Sequence, residues 1–332
     1  MTEGYGMSRF WGSIVTHRSI GFGVLIILLL ALPFLIPDSW VSMATEMLIM
    51  SLSGCALNLM LGYTGMVSFG PAGLYAVGAY TTAILLARYH VSIVWAIVAA
   101  PILAGIAGAI VGWFCVRRSA VYFALLTLAF AQIIWTIIFE WYDFTGGDNG
   151  IVSIPIPEFF FTLSHCYYFT LVIVGACLFL LWTIVHSPFG KTLQAIRENP
   201  NRTEFIAIPL RRYQLAAFVI SSAFLGVAGS IFCVFSGSVF PDYAHWAKST
   251  DMLVVCLLGG FYNFAGPIVG SVIYILLSKI IAKQTMFWMF FLGVIIVFLV
   301  LFLRNGIMGF LSEKFSSTIG RTSGLEKSGG DR

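Results

Sequence analysis

VSMATEMLIMSLSGCALNLMLGYTGMVSFGPAGLYAVGAYTTAILLA, residues 41–87, decides the fold. It holds two apolar runs, Val41–Leu61 and Gly70–Ala87, and Glu46 is its only charged residue. Each run is close to the ~20 residues that a helix needs to cross a bilayer. Gly62, Gly65 and Gly70 lie in the interruption between them. Backbone groups freed by such a break are tolerated at membrane depth only against protein or a water-filled cavity. Broken helices of this kind often frame transport paths. An ordinary tight turn at the membrane surface fits the same residues.

Outward from this stretch the pattern repeats. The 332 residues are 59% hydrophobic and 10% charged, with a mean hydropathy of +0.95. Soluble chains carry about 25% charged residues, so this one cannot coat a soluble surface. The sequence predicts an all-α, polytopic transmembrane bundle of about ten passes, some short or broken. They are Gly21–Ile36, Val41–Leu61, Gly70–Ala87, Ser92–Val116, Val121–Glu140, Cys166–His186, Tyr213–Ser236, Ser249–Phe264, Pro267–Ile281 and Met286–Leu303. Barrel strands are excluded by run length and by the lack of alternation. Residues 1–20 read as a cytoplasmic N-terminal segment without a cleavable signal, 21–303 as the membrane domain and 304–332 as a cytoplasmic tail. Gly108 and Gly112, and the Gly226–Ser230 cluster, are positions for close helix packing. Pro33 and Pro101 are expected to kink or end their passes.

Charge sets the orientation. With the N-terminus inside, the inner segments hold fourteen of the eighteen Lys and Arg, and only Arg88, Lys248, Lys279 and Lys283 face outward. The positive-inside rule therefore places both termini in the cytoplasm.

Three further segments stand out. Leu258-Gly-Gly-Phe-Tyr-Asn-Phe-Ala-Gly-Pro echoes the first break, with Gly259 and Gly260 matching its glycines and a Gly-Pro pair starting the next helix. Residues 187–212, SPFGKTLQAIRENPNRTEFIAIPLRR, are the most charged stretch of the body and predict two short helices, the second starting at Pro200 and ending near Ile208. The outer Trp141–His165 loop, with Thr145-Gly-Gly-Asp-Asn-Gly, reads as flexible, acidic and turn-rich. Polar residues inside passes are few: Asn58 and Gln132, with Glu46 and Asp251 near outer ends. No catalytic Ser–His pair, metal-ligand spacing or GxxxxGK[ST] loop occurs, so the chain has no P-loop of its own and no catalytic or metal residues are assigned.

Taken in order, Ala56-Leu-Asn-Leu, Gly62-Tyr-Thr-Gly-Met-Val-Ser-Phe-Gly, Gly78-Ala-Tyr, Tyr122-Phe-Ala-Leu-Leu-Thr-Leu-Ala-Phe, Thr145-Gly-Gly-Asp-Asn-Gly, Gly190-Lys-Thr-Leu-Gln-Ala-Ile-Arg-Glu-Asn and Leu258-Gly-Gly resemble the LivM-type permeases of branched-chain amino-acid ABC importers. The resemblance covers about residues 43–303. It implies a permease subunit of the bacterial inner membrane that binds no cofactor itself. Its partners would be a LivH-type permease, two ATP-using LivG/LivF-type subunits, an extracytoplasmic solute-binding protein and lipid, with no nucleic acid. Residues 187–212 become the coupling segment, with Ala195, Ile196, Phe205 and Ile206 as apolar contacts and Arg197, Glu198, Arg202 and Glu204 as a charged rim. Asn58, Gly62, Gly65, Gly70, Gly259 and Gly260 are the candidate path or gate residues. The sequence departs from the family at Ala207 and Tyr262, where glycine is usual; alanine resists positive φ. A self-contained secondary transporter or channel is the rival, and it predicts coupling acids deep in the bundle. Branched-chain or other hydrophobic amino acids, or a related neutral solute, are the expected cargo.

Overall fold

A computed structural model describes residues 28–34, 36–118, 120–157, 160, 162–302 and 306–309. Among these the architecture is helical, with one antiparallel bridge between Ile151 and Val239. The helices are α1 (Asp38–Asn58), α2 (Pro71–Ala87), α3 (Ile93–Cys115), α4 (Ala120–Glu140), α5 (Leu163–His186), α6 (Pro188–Glu198), α7 (Pro200–Phe205), α8 (Leu210–Ser236), α9 (Trp246–Gly259), α10 (Gly266–Gln284) and α11 (Trp288–Phe302). A π-helical turn, Leu59–Tyr63, extends α1. The expected segment 1–20 and, apart from residues 306–309, the expected tail 304–332 lie outside the described residues.

Among the described residues, six helices are long and apolar enough to cross a membrane: α1 with its π turn, α3, α4, α5, α8 and α10. The chain is therefore a multi-pass membrane protein, but the described residues do not supply ten full spans. The α2, α9 and α11 helices have 17, 14 and 15 residues. At ~1.5 Å per residue, 14 residues reach ~21 Å, short of the ~30 Å hydrocarbon core. The expected pass Gly21–Ile36 is described only in part, as helical residues 28–34. The α3 helix continues through Pro101 rather than ending there.

Burial separates a centre from a shell. In α1 and α8, 78% and 61% of the spanning window is buried; in the other four spans the share is 22–33%. The outer faces of α3, α4 and α5 expose large apolar side chains, such as Trp95, Ile133 and Phe179, as lipid-facing helices do. Glycine brings α8 close to its neighbours. A Cβ on Gly226 would meet Ala104 of α3, one on Gly78 of α2 would meet the Gly226 backbone, and one on Gly229 would meet the Tyr75 carbonyl. Gly108 and Gly112 face Ser222 and Phe218 in the same way. The small-residue positions thus serve packing. Some buried hydroxyls join neighbouring helices: Ser221 donates to the Ala56 carbonyl at 2.5 Å, and Thr82 to Ser230 at 2.7 Å. All six cysteines are reduced and buried.

The segment 141–157 is more ordered than its composition suggests. Thr145 is buried and its Oγ1 donates within reach of the Ile138 and Trp141 carbonyls, at 2.6 and 2.8 Å. Gly146, Gly147 and Gly150 take positive φ. Ile151 then exchanges two 2.9 Å backbone hydrogen bonds with Val239. The segment is folded back onto the bundle and stapled to the α8–α9 connection, which corrects its reading as a flexible loop.

Candidate functional site

The two glycine-rich breaks and the α6 helix come together at one end of the bundle. The first break begins with the π turn, which widens the helix and leaves the chain free at Thr64. Gly65 follows with φ +76°, a left-handed conformation in which a Cβ is penalised. The second break turns at Gly260, φ +98°. Gly62 and Gly259 are excluded from carrying a side chain for a different reason. A Cβ on Gly62 would run into the Phe261 carbonyl and Asn58 Oδ1, and one on Gly259 into the Gly266 carbonyl. Asn58 ties the breaks together, its Nδ2 donating to the Asn263 carbonyl at 3.4 Å. Its Oδ1 is buried without a hydrogen-bond partner among the described residues. Such an orphan costs about 1–3 kcal/mol, and it sits where the helix is already broken.

Gly70 does not join this group. The chain runs from Thr64 as non-helical backbone into the bundle, so that Gly70 lies against Thr127, midway along α4. Hydroxyls replace the helix as hydrogen-bond partners along this path. Thr127 accepts from Phe69 N–H (3.2 Å), Ser68 from Gly70 N–H (3.3 Å) and Ser249 from Ala72 N–H (3.0 Å). Buried backbone needs such partners where water and lipid supply none. The sequence reading passed over these three residues, since nothing local separates them from other hydroxyls in apolar helices.

The predicted pair of short helices is present, and its start signals are legible. Ser187 and Asn199 cap α6 and α7 with their side chains, and Pro188 and Pro200 stand at the first helical positions. The α6 helix buries Gly190, Leu193 and Ile196 against the bundle. Ile196 is 1% exposed, which corrects its expected role as an outward apolar contact. Ala195 and Glu198 face outward, as do Arg202, Glu204, Phe205 and Ile206. Phe205 and Ile206 are 89% and 68% exposed. Ala207 takes φ +61°, so the chain keeps the left-handed turn usually given to glycine.

Arg197 is not part of an outward rim. Its guanidinium donates to the Gly62 carbonyl and lies 5.1 Å from the centre of the Tyr262 ring. Its Cγ stands 3.0 Å from where a Cβ on Gly65 would be. One side chain of α6 therefore touches both breaks. Tyr262, the second departure from the family pattern, supplies the aromatic face.

A membrane bundle with two glycine breaks keyed to an exposed helix pair is the architecture of a transport permease. The chain belongs to the family of branched-chain amino acid transport system permease components, whose model matches residues 38–300. It is similar to the high-affinity branched-chain amino acid transport permease LivM of Escherichia coli K12, 29% identical over 311 residues, covering 86% of this chain and 73% of that protein. LivM of Salmonella typhimurium is 27% identical over 340 residues, covering 94% and 80%. The permease LivH of Escherichia coli K12 is 24% identical over 245 residues, covering 65% and 76%. No solved structure matches the chain significantly.

Proposed function

We propose that this chain forms half of the translocation path of an ABC importer for branched-chain or other hydrophobic amino acids. The observation that carries the reading is Arg197. It connects α6, in the most charged stretch of the chain's body, to the Gly62 carbonyl of one break and the Tyr262 ring of the other. A partner that grips the α6–α7 pair can pull on the breaks through it. The exposed Phe205 and Ile206, flanked by Arg202 and Glu204, form a small apolar knob with a charged rim, which suits docking to a soluble subunit.

On this reading ATP is bound and hydrolysed by two separate cytoplasmic subunits. A LivH-type permease completes the path, and an extracytoplasmic binding protein delivers the solute. The similarity to both LivM and LivH supports a pair of related permeases. Both termini face the cytoplasm of a bacterial inner membrane. Arg88 and Asp143 meet at one end of the bundle, and Arg197 and the breaks at the other. A single cysteine placed at Asp148 should react only from outside; labelling from the cytoplasm alone would invert the map.

The mechanical claim is tested in the reconstituted importer. Arg197→Ala should leave ATP hydrolysis running while uptake falls at least tenfold, and Arg197→Lys should be intermediate. Ala195→Asp or Phe205→Asp should release the ATPase subunits or uncouple them. Normal assembly and coupled transport in all four variants would remove the coupling role from this segment.

A further inference from the structure

A cavity of about 210 Å³ opens between α1, α2, α8, α9 and α10, away from the Arg197 junction. Its walls carry ionisable groups of both signs, which is unusual in a bundle whose other spans are almost uncharged. Asp251 enters from α9 and accepts a 2.6 Å hydrogen bond from Tyr274 of α10. Glu46 enters from α1 and pairs with Lys279 at 3.1 Å. Lys248, one turn before Asp251, also lines the space. Its ammonium lies 5.7 Å from the Phe232 ring centre and makes no hydrogen bond or ion pair among the described residues. The remaining wall combines apolar Ile49, Met50 and Ile275 with the hydroxyl-bearing Ser53, Tyr75 and Ser278.

The charges balance: Lys279, outside the lining, neutralises Glu46, and the lining's remaining carboxylate, Asp251, stands against its one ammonium group, Lys248. Such a chamber gives no net attraction to a solute of one sign, and it complements a solute that carries both. Lys248 is the group left without a counter-charge at bonding distance, and a half-buried cation without one is costly. A carboxylate is the natural partner for it, and Asp251 can receive a second donor beside Tyr274. The size argues the same way. Pockets for drug-sized ligands occupy about 300–1,000 Å³, so this one suits a small solute whose hydrocarbon part meets the apolar wall.

We propose that this cavity is a solute-selecting site within the permease, which takes a zwitterionic α-amino acid with an aliphatic side chain. The solute's carboxylate faces Lys248 and its ammonium faces Asp251. The proposal deepens the importer reading and rests on it for the solute's arrival at the cavity. Selection would then be made a second time inside the membrane, after delivery by a binding protein.

The test uses the full-length chain in lipid nanodiscs with radiolabelled L-leucine. Wild type should show saturable binding. 4-Methylpentanoate, which lacks the ammonium, and 3-methylbutylamine, which lacks the carboxylate, should each compete at least tenfold less well than leucine. Lys248→Met and Asp251→Asn should each weaken binding at least tenfold, and Lys283→Met should not. No saturable binding by wild type, equal competition by either half-ligand, or wild-type affinity in both cavity variants would overturn the site. The competition series needs no variant and stands if the variants fail to fold. ATP-driven leucine uptake by the assembled importer is measured in parallel. Uptake without binding by this chain overturns the site and leaves the importer reading intact. Binding without ATP-driven uptake supports the site and overturns the importer reading.

Discussion

The breaks at 62–70 and 259–266 share a sequence signature, glycines followed by Gly-Pro at a helix start, yet they fold in opposite ways. In the second, the chain turns at once. Asn263 N–H donates to the Gly260 carbonyl and Gly266 N–H to the Asn263 carbonyl at 3.1 Å. The α10 helix therefore restarts against the end of α9, backbone on backbone at Gly259 and Gly266. In the first, residues 64–69 leave the helix and stay largely without local hydrogen bonds. At up to ~3.3 Å per residue, such a segment can carry α2 well into the bundle before it starts. Its amides are then satisfied by Ser68, Thr127 and Ser249. The two segments are of similar length, so the difference lies in the partners their backbone finds: local carbonyls restart the helix at once, whereas hydroxyls of other helices let it restart further on. A self-closed break is a joint under compression, whereas an open one is a tether held by side chains.

The largest expected effect follows from that contrast. Gly259→Val drives a β-branched side chain into the Gly266 backbone, and should cut both membrane-inserted protein and uptake at least tenfold. Gly65→Val meets only the flexible Arg197 chain and a φ penalty of roughly 1–2 kcal/mol. It should spare protein level while lowering uptake severalfold. Quantitative blots and uptake per inserted molecule separate the two. If Gly65→Val is the one that loses the protein, the assignment of compression and tether is reversed.

A smaller effect sharpens the tether. Thr127→Val and Ser249→Ala orphan the part-buried amide of Phe69 and the buried amide of Ala72, and should destabilise by about 1–3 kcal/mol. Ser271→Ala, in α10 after the compact break, removes only a hydroxyl bonded to its own helix at Ile268. It should stay within about 0.5 kcal/mol. Thermal unfolding in one detergent decides; equal shifts in all three would deny the hydroxyls their special part.

The smallest effect concerns the segment that meets the breaks from outside. Ala207 holds φ +61° without glycine's freedom, so Ala207→Gly should stabilise the turn by roughly 0.5–1 kcal/mol, net of a looser unfolded chain. Slower hydrogen exchange at Phe205–Ile208 is the measurement, and faster exchange would count against strain there.

The helices were legible because membrane passes announce themselves by length and apolarity, and the α6–α7 pair because Ser187, Pro188, Asn199 and Pro200 are local signals. What escaped was rotation and reach. Ala195 and Ile196 are neighbours of similar character, and the face that packs on the bundle decides that one is exposed and the other buried. Arg197 reads as one more cation in a basic loop; its partner, Gly62, lies 135 residues earlier. Gly70 reads as part of one glycine cluster until the extended path carries it to Thr127. The cavity draws on five helices, so the meeting of Lys248 and Asp251 with Glu46 and Tyr274 has no local signature. The LivM-like motifs identify the family without locating that chamber.

The burial of all six thiols has a practical consequence. A water-soluble maleimide should find no native cysteine to modify in the folded chain, so the wild-type protein already serves as the silent background for single-cysteine probes. The helix breaks, the α6–α7 pair and the chamber can each be mapped by reagent access one residue at a time, with Cys55 and Cys256 left in place beside the joint they help to pack.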